Sequence, residues 1–327
     1  MKNGFIALDE NFPFFPIEKV FPLRFNEDSF YKICLVVETF FNRKMYFKLI
    51  FMILLVSSNK DIASLNIANQ ILQHYPFQKS PEEFQGNSIY TTHLNQKLVK
   101  LIQLNEESVT VQNLPESFPD AELIVFVSRH SSQSGIPTLT VHPSGNFADA
   151  GLGGLPQTVS VSPAVAMRDA LKMLVYFQQK LALLDYTVSF EVTHHGPSLN
   201  VPTMFVELGS SMSQWVDIKA ACAVACATIS AIEMFETNPA QKAVIGVGGT
   251  HYNKKFTTMA LNGEAVFGHM IPKYAVANVD VSLLRHCVER CLEQVSEVLL
   301  DWRGIRSEDK SDLMAALDTL GLVYRKI

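Results

Sequence analysis

The chain has 327 residues, of which 48% are hydrophobic and 18% are charged, so it has enough apolar material for a large packed core. This composition excludes a disordered chain. The formal net charge of −5 excludes a protein that coats nucleic acid nonspecifically, because that function needs a broad excess of Lys and Arg, although it leaves room for a local basic patch.

Residues 1–51 differ from the rest of the chain, because aromatic residues stand beside prolines there without a helical or strand period. Acidic residues and the lack of a compact apolar region argue against a secretory signal. The apolar run Tyr46–Val56 contains Lys48 and is far shorter than the roughly 20 residues of a membrane-spanning helix. We expect 1–51 to be a poorly ordered N-terminal extension, and Met52, an alternative initiator, to begin a single folded domain over 52–327.

Beyond Met52, strand-like and helix-like segments alternate along the chain. The predicted strands are short and apolar, and they are Met52–Ser57, Leu123–Val127, Tyr186–Thr193, Thr203–Leu208, Ala243–Val247 and Ala265–Gly268. The predicted helices are Ile62–His74, Ser162–Leu181, Ser213–Glu236, Ser282–Leu300 and Ser307–Leu320. This alternation predicts a three-layer α/β/α fold with a mixed, mostly parallel central sheet.

The five cysteines show no dense spacing pattern, which excludes a disulfide scaffold and favours a reducing, intracellular compartment. Cys222 and Cys226 lie four residues apart in one predicted helix, and Cys287 and Cys291 repeat the spacing in another. Such pairs could hold a metal, but structural zinc usually takes paired cysteines from tight turns. We therefore interpret the four residues as buried apolar side chains.

Histidines at strand ends are the main functional pattern in this sequence. Six of the nine histidines lie at a predicted strand end or in a turn rich in Gly, Pro or Ser: His130, His142, His194, His195, His251 and His269. Because ligand sites of α/β sheets form where loops leave strand ends, side chains that are distant in sequence can converge there. The pattern favours a metallohydrolase whose site is built from turn histidines.

His194 and His195 form an adjacent pair followed by Gly196-Pro197. Strand alternation places them on opposite faces, so the two rings should point apart if the strand continues. The Gly-Pro turn could bring them together, with Glu191 orienting one ring from behind.

Three other segments add polar groups near predicted strand ends. In Gly248-Gly249-Thr250-His251 the glycines resemble a phosphate or oxyanion cradle, but neither nucleotide-binding glycine pattern is present. Residues 128–132 combine Arg129 and His130 with serines that lack a G-x-S-x-G elbow, so a serine hydrolase is less favoured than a metal site. His142 and the glycine-rich stretch 150–156 are interpreted either as an active-site wall or as an ordinary loop.

Taken together, the segments 128–132, 193–197, 248–252 and 268–275 resemble the D-aminoacyl-tRNA deacylase family of archaea and plants over about 52–327. The resemblance implies a zinc-dependent esterase that releases a free D-amino acid and tRNA, as part of translation quality control. It also implies a fold similar to peptidyl-tRNA hydrolases and nucleoside phosphorylases. The resemblance to this family does not extend to residues 1–51.

The resemblance and the turn histidines together define candidate residues for each task. Imidazoles and a carboxylate would hold Zn²⁺, and the candidate ligands are His194, His195 and His251, followed by His130, Glu207 and His269. The candidate catalytic residues are Glu191 or Glu207 as proton acceptor, the amides of Gly248 and Gly249 as oxyanion donors, and Thr250. Candidate contacts to the tRNA backbone at the acceptor end are Arg129, Lys254, Lys255, Lys273 and Arg285.

Two alternatives stay open from the sequence. One is a metal-free nucleoside or phosphate-handling enzyme of related fold, and the other is a noncatalytic tRNA-binding module. For all three functions we expect a cytoplasmic protein, with nuclear presence left open, that is a monomer or small homo-oligomer and has no DNA or membrane partner.

Overall fold

The computed structural model of the chain describes residues 51–327. Residues 1–50, which hold nearly all of the expected N-terminal extension, lie outside the described residues. The strands are β1 (Met52–Ser58), β2 (Gln78–Phe84), β3 (Asn87–Leu94), β4 (Lys97–Leu104), β5 (Ala121–Ser131), β6 (Thr138–His142), β7 (Thr187–Phe190), β8 (Thr203–Ser210), β9 (Ala243–Val247), β10 (Phe267–Ile271), β11 (Val295–Leu300) and β12 (Tyr324–Lys326). The α-helices are α1 (Ile62–His74), α2 (Leu114–Ser117), α3 (Ala164–Lys180), α4 (Met212–Trp215), α5 (Ile218–Met234), α6 (Lys254–Leu261), α7 (Val281–Glu289) and α8 (Lys310–Thr319).

The strands form two sheets. The larger sheet has eight strands in the order β2-β3-β4-β1-β5-β8-β6-β7, and the smaller has four in the order β10-β9-β11-β12. In the larger sheet β4, β1, β5 and β8 run parallel, whereas β2, β3 and β4 pair antiparallel and β6 runs antiparallel to β8. Pairing in the smaller sheet is parallel throughout. The predicted α/β class with a mixed, mostly parallel sheet is confirmed.

The central strands of the larger sheet are buried on both faces. Along β1, Ile53 and Leu55 pack into one apolar cluster, while Leu54 and Val56 pack into another. This division follows from the two-residue side-chain period of a strand. Because parallel strands covered on both faces carry continuous apolar runs, the Met52–Val56 sequence could be identified as a strand from composition alone.

Helices α1, α3 and α5 contribute to the same apolar cluster as Ile53, which makes them one outer layer of the domain. Helix α5 is rich in alanine, and Ala220 to Ala227 are buried along its length. Small side chains let a helix approach its neighbours closely. The predicted helix Ser213–Glu236 is interrupted at Val216, because Asp217 caps α5 by accepting hydrogen bonds from the Lys219 and Ala220 amides at 2.9 and 3.0 Å.

One predicted element was wrong in type. The range Ser282–Leu300 was interpreted as one helix, but it contains α7 and then β11, whose end packs Val298, Leu299 and Leu300 as buried residues. Helix α7 ends at Glu289, so Cys291 lies beyond it, and Cys287 and Cys291 do not share a helix. The sequence did not predict the smaller sheet for this reason, since β11 is the strand that pairs with both β9 and β12.

The other cysteine pair behaves as predicted. Cys222 and Cys226 are buried on α5, and their sulfur atoms lie 4.0 Å apart. Between residues 51 and 327 no helix combines the length and apolar character needed to span a bilayer.

A backbone contact between a loop of the larger sheet and a loop of the smaller sheet positions the functional residues. The segment after β7 pairs with the loop after β9, because Glu191 forms an antiparallel bridge with Tyr252 and the Val192 amide donates to the His251 carbonyl at 3.0 Å. The loop after β9 is thereby brought to the end of the larger sheet.

The close packing of α5 generates a prediction about stability. Ala223 is fully buried, so Ala223→Leu should overpack the core and lower the free energy of unfolding by about 1–3 kcal/mol. Lys219 is exposed in the first turn of the same helix, and Lys219→Leu should change that free energy by less than about 0.5 kcal/mol. Equilibrium urea denaturation measures both. Equal effects of the two substitutions would contradict the packing described for α5.

Candidate functional site

The site is a cavity of about 520 Å³ at the end of β5, a volume within the range of about 300–1,000 Å³ typical of small-molecule pockets. Its wall includes five residues predicted from the sequence as metal candidates: His130, His194, His195, His251 and Glu207. Arg129 also lines it. Side chains from the end of β5, the segment after β7, strand β8 and the loop after β9 therefore converge, as expected for strand ends of an α/β sheet.

Three neighbouring imidazoles have the same hydrogen-bond arrangement: His194 and His195 line the cavity, and His142 is fully buried next to them. The Nδ1 atoms of His142, His194 and His195 lie 3.2, 2.8 and 2.6 Å from the carbonyl oxygens of Pro143, Val192 and Gly196. Each Nδ1 therefore carries the proton and donates it to a carbonyl, which leaves each Nε2 as an acceptor. Ligand nitrogens of these three residues lie within 4.8 Å of one another.

His194 and His195 do not point apart, contrary to the expectation from strand alternation. Strand β7 ends at Phe190, and His195 has a left-handed backbone with φ of +43°. That conformation breaks the two-residue period and turns the second ring toward the first, so the ring centroids lie 4.3 Å apart. A left-handed backbone at a non-glycine residue is uncommon, and it concentrates at functional sites.

Phe205 on β8 orients two of these rings. The His142 ring stacks on it with centroids 5.0 Å apart and planes 7° apart, and the His195 ring meets it edge-on at 5.0 Å. Phe205 is fully buried, so its ring provides a fixed surface for both imidazoles.

Two buried carboxylates lie behind the imidazoles. Glu191 is fully buried, and its oxygens lie 3.1 Å from His130 Nδ1, 3.4 Å from His194 Nε2 and 2.8 Å from His251 Nε2. Glu207 on β8 accepts a hydrogen bond from the Ser128 hydroxyl at 2.6 Å and lies 3.6 Å from both His130 Nδ1 and His142 Nε2. A buried carboxylate needs such partners, because an unpaired one would not stay ionised.

His130 is held from both sides. Its Nε2 contacts the Tyr252 hydroxyl, and its carbonyl accepts a hydrogen bond from the Trp215 indole at 2.9 Å. Gly209 faces the ring, and a Cβ atom there would lie 2.7 Å from the His130 Cβ. The position therefore requires glycine for the His130 side chain to fit.

The charges of the site follow from burial and these contacts. Burial alone would lower the pKa of His130, but the contacts with Glu191 and Glu207 outweigh it and raise the pKa to about 11. Burial would raise the pKa of Glu191, but its contacts with His130 and His251 hold it well below the usual range. His130 is therefore a cation between anionic carboxylates.

The paired histidines differ from His130 in charge. Burial and the neighbouring His142 lower the pKa of His195 to about 4, and the same causes lower the pKa of His194 well below its usual value. Both imidazoles are therefore neutral at pH 7, which is the form that binds a metal. For His142, the contact with Glu207 outweighs burial and raises the pKa, so metal binding there would displace a proton.

The residues could hold a metal ion. Among the described residues, the buried Nε2 of His142 has no hydrogen-bond partner, and it faces Glu207. A buried ring nitrogen without a hydrogen-bond partner is unfavourable unless a proton shared with Glu207 or a bound metal ion satisfies it. Neutral imidazoles whose second nitrogens donate to carbonyls are the typical zinc-ligand arrangement. A second group, formed by His130, Glu191 and His251, has ligand atoms equally close together.

Several predicted site residues lie elsewhere. His269 is not in a loop but inside β10, where its Nδ1 lies 3.2 Å from the Thr193 hydroxyl and its Nε2 lies 3.1 Å from the Ser160 and Arg290 carbonyls. Both ring nitrogens are used, so the structure contradicts its assignment as a metal ligand.

The glycine-rich turn after β9 does not offer its amides to a substrate. The Gly248 amide donates to the Ile271 carbonyl at 2.8 Å, and the Gly249 amide donates to the Gly304 carbonyl at 3.0 Å. The assignment of these amides as oxyanion donors is therefore wrong. The Thr250 hydroxyl donates to the Tyr252 carbonyl at 2.7 Å, so it shapes the turn that presents His251.

The predicted basic residues divide into two groups. Arg129 forms an ion pair with Glu107 at 3.0 Å, and Lys255 contacts Asp301 at 2.5 Å. Lys254, Lys273 and Arg285 are exposed but do not line the cavity in the part of the chain that the structure describes.

His142 was left open between an active-site wall and a loop, and the structure places it in the imidazole group. It ends β6, which pairs antiparallel with β8 and sets His142 opposite Phe205. The position before Pro143 at a strand end was the available signal. The antiparallel pairing that aims the ring inward could not be obtained from the sequence.

Comparisons with known proteins give a consistent result. A family model described as D-aminoacyl-tRNA deacylase matches residues 117–324. The D-aminoacyl-tRNA deacylase of Thermococcus kodakarensis is 34% identical over 275 residues, covering 82% of this chain and 97% of the relative. That of Pyrococcus abyssi is 32% identical over 278 residues, covering 83% and 98%. A crystal structure of a conserved protein of unknown function is similar with a TM-score of 0.75 and 29% identity, covering 84% of this chain and 95% of that one.

The charge state of His130 can be measured directly. In metal-free protein the imidazolium should persist at pH 8, because its pKa is raised to about 11 from the usual 6.5. Its proton therefore stabilises the fold below about pH 6.5, and this contribution is lost as the pH rises through about 11. NMR of ring nitrogens in the wild type, Glu191→Gln and Glu207→Gln should show the larger fall in pKa for Glu191→Gln. A wild-type pKa near 6.5 would contradict the described contacts.

Proposed function

This chain belongs to the D-aminoacyl-tRNA deacylase family and hydrolyses the ester bond of D-aminoacyl-tRNA, and we propose that a zinc ion held by His142, His194 and His195 activates the reaction. The products are a free D-amino acid and tRNA. We also infer that the protein acts at the acceptor end of tRNA and in the compartment where translation takes place.

The observation that carries the zinc proposal is the shared arrangement of the three imidazoles. Each Nδ1 donates to a main-chain carbonyl, and ligand nitrogens of the three residues lie within 4.8 Å of one another. His142 Nε2 lies 3.6 Å from Glu207, and His194 Nε2 lies 3.4 Å from Glu191. Bound zinc polarises an ester carbonyl and makes water a stronger nucleophile at neutral pH. In a metal-free enzyme the buried Nε2 of His142 would have only its 3.6 Å contact with Glu207.

His251 is the residue best placed to move a proton. It lines the cavity and is one-third exposed, and its Nε2 donates to Glu191 at 2.8 Å. The hydrogen bond fixes the tautomer, so Nδ1, which lies 3.5 Å from the Tyr274 hydroxyl, is the ring atom that would accept a proton from the attacking water. Glu191 is fully buried and strongly ionised, so it orients His251 and stabilises its imidazolium rather than accepting the proton itself.

Exposed cations outside the cavity suit the tRNA backbone. Lys254 begins α6 three residues after His251, Lys273 follows β10, and Arg285 lies on α7. We propose these three as backbone contacts, because none of them forms an ion pair among residues 51–327, whereas Arg129 and Lys255 do.

The zinc proposal predicts a loss of activity with the metal. Chelation should lower the rate of D-aminoacyl-tRNA hydrolysis at least about 100-fold, and added Zn²⁺ should restore it. His195→Ala should bind little zinc and be inactive, while His93→Ala, at an exposed position on β3, should match the wild type. Atomic emission and a deacylation assay with D- and L-esters measure these outcomes. Undiminished hydrolysis by fully metal-free protein would refute the proposal.

The assignment of His251 as proton acceptor has its own test. His251→Ala should lower kcat about 100-fold or more and keep its zinc, because removal of a general base costs about 10²–10⁴-fold. Added imidazole should restore part of the rate. If His251→Ala instead loses zinc, the metal is bound by the group of His130, Glu191 and His251, and the proposed assignment is wrong.

A further inference from the structure

A leucine at the cavity is exposed to solvent although the chain around it is firmly held. Leu152 lines the cavity and is 67% exposed. It lies in the glycine-rich stretch 150–156, which the sequence left open between an active-site wall and an ordinary loop. Leu155, three residues further on, is 50% exposed but does not line the cavity.

The segment that carries Leu152 is fixed by hydrogen bonds at several points. The Gly196 amide donates to the Leu152 carbonyl at 3.0 Å, and the Leu155 amide donates to the Ser198 hydroxyl at 3.0 Å. The Asn146 side chain donates to the Gly153 and Leu155 carbonyls at 2.8 and 3.2 Å. The Leu152 side chain is thus presented to the cavity by a backbone tied to the residue that follows His195.

Tight packing holds the segment further. Gly153 has φ of +75°, and a Cβ atom there would lie 1.9 Å from the Val109 carbonyl oxygen. Only glycine allows this approach, which brings Leu152 next to the chain at Val109. Val109 and Leu152 both line the cavity and together form an apolar wall.

The charged part of the lining indicates which end of the substrate enters. Asp61 and Glu107 supply carboxylates, and the guanidinium of Arg129 is already paired with both oxygens of Glu107 at 3.1 and 3.0 Å. Within the described lining, Arg129 is therefore not free to bind a phosphate. The Asp61 oxygens are also occupied, since they accept hydrogen bonds from the Ser64 and Arg129 amides. A wall whose arginine is already paired disfavours the nucleotide backbone, and its apolar part suits the side chain of the aminoacyl group.

We propose that Leu152, with Val109, contacts the side chain of the aminoacyl group and makes the enzyme favour large apolar D-amino acids. The inference rests on the proposed function, since it places the ester carbonyl at the histidines. It assigns the apolar wall to one part of the substrate, the variable side chain, rather than to the terminal adenosine.

The test compares two exposed leucines of the same segment. One tRNA is charged in turn with D-phenylalanine and D-alanine, so that only the side chain differs. Leu152→Ala should lower kcat/KM for the D-phenylalanyl ester roughly ten-fold, mainly through KM, and change the D-alanyl ester less than about two-fold. Leu155→Ala should change neither. Both side chains are largely exposed, so the variants should fold and keep their zinc content.

Three outcomes would overturn the inference. Equal losses for both esters in Leu152→Ala would mean that the residue contacts the nucleoside or shapes the site. No loss for either ester would mean that it does not touch the substrate. Equal effects of Leu152→Ala and Leu155→Ala would assign the change to the segment as a whole. Failure of the wild type to hydrolyse either ester would refute the proposed function instead, and so the two failures are distinguishable.

Discussion

The site depends on one buried carboxylate. Glu191 has no exposed surface, and its two oxygens contact imidazoles from the end of β5, the segment after β7 and the loop after β9. Removing a carboxylate from water is unfavourable by several kcal/mol unless partners compensate. Glu191 therefore stays ionised only when all three segments are in place. The same contacts that keep it charged fix His251 and His194 relative to each other.

Charge balance explains why the two carboxylates can share a small volume. The protonated His130 lies between Glu191 and Glu207 and screens their repulsion. His194 and His195 stay neutral beside it, because burial and neighbouring imidazoles disfavour their protonated forms. The arrangement separates a charged, structural histidine from neutral histidines that can donate an electron pair. A divalent cation held by the neutral group would be stabilised by the negative charge of both carboxylates.

Much of this organisation could be predicted from the sequence, because strand ends marked by histidines are local features. The α/β class followed from buried apolar strands, and the convergence of His130, His194, His195, His251 and Glu207 followed from their positions at strand ends. The features that could not be predicted depend on pairing between strands that are distant in sequence. The inward aim of His142 depends on the antiparallel pairing of β6 with β8, and β11 gains its strand character from pairing with β9. His269 lies inside β10, and this position keeps its ring out of the site.

The bridge between Glu191 and Tyr252 also has a consequence for synthesis. The ribosome produces His142, His194 and His195 before it produces any residue of the smaller sheet. A nascent chain that ends before β9 has the three imidazoles but lacks His251 and the backbone that pairs with Glu191. The contacts of Glu191 are thus complete only late in translation, after His251 and Tyr252 have left the exit tunnel.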